Sequence, residues 1–165
     1  MIEILRSTFL LTVLFCLIGC NESSQQNESD KSTLENERKE ILKCLNNETK
    51  AAFSRDYELW KKHWIQDEEI SKTYINFADS THSESIGWTA ISGFVKTFIE
   101  EHPTPEPVPK LLNDIDVRLY EFGAWVSYEQ QDSIRGLKRE TRLMEKENGV
   151  WKIAGMHTTI YGLIQ

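Results

Sequence analysis

Glu140-Thr141-Arg142-Leu143, followed by Asn148-Gly149-Val150-Trp151-Lys152-Ile153-Ala154-Gly155-Met156-His157, is the stretch that decides the fold. Leu137 to Lys146 and Val150 to Tyr161 alternate with the period of two that marks strands. Asn148-Gly149 between them is a strong signal for a two-residue hairpin, because both central residues of that turn need positive φ. Working upstream, Ala124 to Gln131 and Ile115 to Tyr120 carry the same period, and Glu121-Phe122-Gly123 makes the tight turn between them. Four consecutive strands joined by short turns predict an antiparallel meander.

Before the meander the period is helical. Leu34, Ile41, Leu45, Ala52 and Phe53 fall near one face of a long first helix. Asp56 reads as the N-cap of a short second helix through Tyr57, Leu59, Trp60 and Trp64. A strand is predicted at Ile70 to Phe77. A third helix follows from Trp88 to His102, with Ile91, Phe94, Val95, Phe98 and Ile99 at helical spacing until Pro103 stops it. Pro103 to Pro109 is an extended connection. His82 to Trp88 is read as a loop, either a lid or an ordinary surface loop. Helices first and strands afterwards make an α+β domain, with N-terminal helices packed on a strongly curved antiparallel sheet.

The first 33 residues are of another kind. Phe9 to Gly19 is an uncharged apolar run, too short for a bilayer-spanning helix of about 20 residues. It ends in Leu17-Ile18-Gly19-Cys20, which resembles the lipobox of bacterial lipoproteins. On that resemblance residues 1–19 are a signal peptide, and Cys20 becomes a first residue carrying a diacylglyceryl group and an amine-linked palmitate. More than one acyl chain gives stable anchoring where one gives only marginal binding. Residues 20–33 are rich in Ser, Gln, Asn and Glu and read as a flexible tether. The absence of Asp after Cys20 points to the outer membrane. The expected location is the bacterial cell envelope, at its periplasmic or surface face.

Composition excludes several classes. The net charge of −7 argues against nucleic acid and against broad contact with anionic lipid. Of the three cysteines, Cys16 leaves with the signal and Cys20 carries lipid, so Cys44 alone remains and no intramolecular disulfide is possible. One thiol and four scattered histidines lack the paired spacing of a metal site, and there is no phosphate-binding glycine loop. No metal and no cofactor is therefore expected.

The order helix, Asp56-Tyr57-Glu58-Leu59-Trp60, strand, tryptophan-containing helix and meander, with Glu140-Thr141-Arg142 ahead of Gly149-Val150-Trp151-Lys152-Ile153 and His157, resembles the nuclear-transport-factor-two-like superfamily over Leu34 to Gly162. Within it the chain is similar to SnoaL-like proteins and to the association domain of calcium/calmodulin-dependent kinase. The resemblance implies residues 34–165 as a cone whose sheet wraps the long helix around a pocket, and a homodimer formed through the sheet. It implies that Arg142 lines the pocket, with Ser127 and Thr158 where further arginines would stand. The residues themselves allow the alternative that Arg142 pairs with Glu129 or Glu140.

By parity with Ser127, Trp125 is assigned to the pocket, and Tyr128 and Tyr74 are hydroxyl donors there. His157 near the end of the last strand is both a ligand contact and a candidate catalytic base, with Asp116 as the other catalytic candidate. Trp60, Trp64, Trp88 and Trp151 read as structural. Two functions remain open. One is a membrane-anchored module that binds a small organic ligand, or mediates assembly, without catalysis. The other is a cofactor-free lyase, isomerase or hydrolase of the SnoaL type.

Overall fold

The computed structural model describes residues 22–132 and 136–162. The stretch expected as a signal peptide, residues 1–19, and Cys20 lie outside the described residues. The chain divides into a unit ending at Glu37 and a second unit of residues 38–165.

Helix α1 runs over Glu22–Phe53. Its first part runs through residues 22–33 of the stretch expected as a flexible tether. Those residues contain neither Gly nor Pro, and extending an existing helix through Ser, Gln, Asn and Glu costs only tenths of a kcal/mol per residue. Residues 31–36 of the helix are all exposed, Leu34 among them. From Arg38 onward it is amphipathic, with Ile41, Cys44, Leu45 and Ala51 buried.

Asp56 caps α2 (Tyr57–Trp60), its side chain accepting from the Leu59 amide at 2.8 Å. A 3-10 turn at Lys61–His63 leads to Trp64, and Trp60 and Trp64 are both essentially fully buried. Then come β1 (Ser71–Asn76), β2 (Thr81–Ile86), α3 (Trp88–Glu101), β3 (Asp116–Leu119), β4 (Gly123–Asp132), β5 (Gly136–Glu147) and β6 (Val150–Gly162). The Asn148-Gly149 turn takes positive φ at both residues, 53° and 79°, as the hairpin signal predicts.

The six strands form one sheet in the order β2-β1-β6-β5-β4-β3. Two expectations change. The sheet is mixed, since β1 pairs in parallel with β6, Ser71 opposite Gly155 and Asn76 opposite Ile160. The segment read as a loop at His82 to Trp88 is mostly β2, an edge strand antiparallel to β1. Every β2 side chain except Ser85 is exposed, so the strand has no buried face and leaves no apolar alternation to read.

Side chains of Val126, Arg142, Met144, Met156, Thr158 and Ile160 are buried, while Trp125, Leu143 and His157 between them are exposed. The first set is the inner face, and Val126, Met144 and Met156 of it belong to one hydrophobic cluster with Ile41, Leu45, Trp60 and Trp64. Between Leu143 and Met144 the register to β6 slips, so that Leu143 faces Gly155 and Met144 faces Ile153. This bulge lets the run Ile153 to Met156 be buried throughout. Among the described residues no helix is long and apolar enough to cross a membrane.

Candidate functional site

The inner face of the sheet carries two adjacent rows of side chains. Val126, Arg142, Met156 and Lys72 are cross-strand neighbours in one, and Tyr128, Glu140, Thr158 and Tyr74 in the next. The sheet register thus brings together Arg142, Tyr128 and Tyr74 of the expected site. It places Thr158 with them, as the resemblance implies, and adds Glu140 and Lys72.

Glu140 is the hub. Its Oε2 accepts from the Tyr128 hydroxyl at 2.7 Å and from Arg142 Nη2 at 2.6 Å, while its Oε1 accepts from Lys138 Nζ at 2.8 Å. Burial pushes its carboxyl up, but the Arg142 and Lys138 charges and three donated hydrogen bonds outweigh burial and hold it at about 2. Burial pushes the Tyr128 phenol well up, and the Glu140 carboxylate adds to this while Arg142 opposes it. Burial works against the Arg142 charge, yet Tyr128, Glu140 and Glu48 together hold it firmly protonated. Of the two pairings open in the sequence, Arg142 takes Glu140, and Glu129 pairs instead with Arg139 on the outer face.

The network leaves donors unmet. Arg142 is only 4% exposed, and among the described residues its Nε and Nη1, bearing three of the five guanidinium N–H groups, have no acceptor; the Thr158 hydroxyl, on a residue 2% exposed, has no partner there either. Above this face, Glu48 on α1 accepts from the indoles of Trp60 at 2.8 Å and Trp64 at 3.3 Å. Glu48 falls on the apolar stripe Ile41, Leu45, Glu48, Ala52. A charge at such a position signals a buried partner, and this one was passed over in the sequence.

Trp125, Ser127, His157 and Asp116 lie on the outer face. Asp116, Ser127, Thr141 and His157 form one row there, which spaces Asp116 from His157 by three strands, roughly 14 Å. The alternation was read correctly but its phase was not. Val126, not Ser127, stands opposite Arg142, so the inner positions of β4 are Val126 and Tyr128. The assignment of Trp125, Ser127 and His157 to the pocket face is corrected accordingly; Trp125 is 49% exposed.

A second pair has the outline of a nucleophile and base. Cys44 Sγ lies 3.9 Å from His63 Nδ1. Burial and then Glu48 push the Cys44 thiol up to about 12, the reverse of what a reactive thiolate requires. Burial lowers His63, with Lys152 and Lys62 adding to it against Glu48. Cys44 is a buried, inert thiol.

No family model matches the chain. No curated protein sequence matches it either. Solved structures do. A nuclear transport factor 2-like superfamily protein from Salmonella enterica serovar Typhimurium is 20% identical, with a TM-score of 0.59 over 82% of this chain and 94% of its own. A nuclear transport factor 2-like protein with a cystatin-like fold from Novosphingobium aromaticivorans is 13% identical, with a TM-score of 0.58 over 87% and 92%. A cystatin-like fold protein from Burkholderia xenovorans is 19% identical, with a TM-score of 0.57 over 76% and 92%. At these identities the likeness speaks for architecture, and the helices laid on a mixed six-stranded sheet give this chain the nuclear-transport-factor-two-like fold.

Proposed function

We propose that the domain holds a small organic ligand on the inner face of its sheet, performs no chemistry on it, and is displayed in the cell envelope through lipid on Cys20. The observation that carries ligand binding is Arg142: a buried guanidinium with three N–H donors lacking acceptors, diagonal to a buried Thr158 hydroxyl that also lacks one. Each unmet buried donor costs about 1–3 kcal/mol, which a ligand bringing acceptors returns.

Catalysis has less support. Glu140, held at about 2, is neither a general acid nor an effective base near neutrality. The Tyr128 hydroxyl is committed as a hydrogen-bond donor to the Glu140 carboxylate. His157 and Asp116 share no site with Arg142.

The test is native mass spectrometry of the full chain purified from its own host. A retained small molecule, released on denaturation, is the expected result. A chain that is empty as isolated, and that also binds nothing from a panel of small organic acids and their neutral analogues, overturns the reading.

The homodimer through the sheet has one supporting feature. Trp125 and Leu143 are cross-strand partners on the outer face, 49% and 41% exposed, with the Glu129 and Arg139 pair further along the same face beyond Ser127 and Thr141. A second copy of this chain would cover them. Sedimentation velocity then gives a dimer, and Trp125→Lys a monomer; a monomeric parent chain excludes this assembly.

A further inference from the structure

Lys72 sits on the inner face of β1 with a relative exposure of 8%. Its Nζ lies 5.8 Å from the centre of the Trp60 ring, 5.4 Å from that of Tyr74 and 5.3 Å from that of Phe94. Among the described residues no oxygen accepts from it. Ring faces contribute about 0.5–2 kcal/mol each to a cation but accept none of its three N–H donors, which are left to solvent or to an oxygen that a ligand brings. Three rings therefore do not complete this seat. It wants an oxygen.

Its surroundings say which kind. Lys72 is the register partner of Met156, and Tyr74 of Thr158, so the Thr158 hydroxyl is diagonal to Lys72 on one side and to Arg142 on the other. The nearby carboxylates are engaged: Glu140 by three donors and Glu48 by two indoles. Lys72, Arg142 and Lys138 against Glu140 and Glu48 leave one positive charge over, which suits a monoanion better than a phosphate dianion. Phe94 is 47% exposed, so the ring-lined end of the patch is the end that meets solvent.

We infer that Lys72 is the head-group subsite for a monocarboxylate carried on a flat apolar body. The carboxylate accepts from Lys72 Nζ and the Thr158 hydroxyl, and the body lies against Trp60, Tyr74 and Phe94. This rests on the reading that the inner face binds a small ligand, and it adds the ligand's chemical class and the residue that selects it.

Isothermal titration of the full chain with phenylacetate and indole-3-acetate, each beside its amide, separates the two. The acids bind tighter than the amides by about tenfold or more, as expected for a charge-assisted hydrogen bond in a dry site. Lys72→Met brings acid and amide to within about threefold of each other, and Lys72→Arg keeps the preference. Lys96→Met, which removes an exposed cation 4.9 Å over Tyr57, leaves the ratio unchanged. Acids and amides that bind equally to the parent chain, or a preference that survives Lys72→Met, overturn the carboxylate subsite while leaving the binding site standing. Binding of neither acid nor amide at millimolar concentration takes the ligand-binding reading down with it.

Discussion

Three donors converge on one buried carboxylate at Glu140, two of them cations. Such an arrangement repays its desolvation only while every member is present. Glu140→Gln leaves Arg142 buried beside a neutral amide, and it should destabilise the domain by about 3–5 kcal/mol in chemical denaturation. Tyr128→Phe removes one neutral donor and should cost about 1–2 kcal/mol; equal losses from the two variants would refute the central place given to the charge.

The pH dependence follows from the same group. A carboxyl held at about 2 when folded, against an ordinary 4.5, contributes its full stability above the ordinary value and loses it as the pH falls toward 2. Denaturation midpoints should therefore drop between pH 4.5 and 2, with a flatter acid limb in Glu140→Gln. Of this network, Arg142 was visible in the sequence and Glu140 only as one of two partners. Residues two apart on a strand share a face, but which face is inner depends on a neighbour's register, and Ser127 and Val126 differ by one residue in that choice.

Elements were legible where they bury an apolar face. The amphipathic part of α1, the helix α3 and the strands β4 to β6 all alternate against the core, and the Asp56 cap stands where its side chain allows. Capping is worth about 1 kcal/mol, so Asp56→Ala should lower stability by that amount without changing the fold, as read by urea titration. Edge strand β2 was illegible because none of its side chains needs the interior. The parallel pairing of β1 with β6 was illegible for another reason: the two strands are separated in the chain by β2, α3 and the first three strands of the meander, and nothing local to Ser71–Asn76 names a partner. The latch between α1 and the α2 turn is a further case, since Glu48 looks like a solvated charge until Trp60 and Trp64 fold over it. Glu48→Gln keeps an acceptor for both indoles, while Glu48→Leu leaves two buried N–H groups unpaired. The leucine variant should be less stable than the glutamine variant by about 1–3 kcal/mol in thermal unfolding; the reverse order would show that burying the charge itself dominates.

At the scale of the whole molecule, architecture and chemistry separate. The fold hosts many functions, so what this chain does has to be argued from Lys72, Arg142 and Thr158 and from where the chain is held. The proposed anchor makes a sharp demand, because the chain itself has little reason to approach a membrane. Its net charge is −7, and anionic headgroups repel it. Membrane association on this reading is carried by acyl chains on Cys20 alone, and two or three such chains hold stably where one does not. Cys20→Ser should then move the protein from the membrane fraction to the soluble fraction and abolish labelling by a palmitate analogue. High salt should release neither form further, since no electrostatic attachment exists to screen. A Cys20→Ser protein that stays with the membrane until salt removes it would point to a charged docking partner, and would remove the lipid from the account of how this domain meets its ligand.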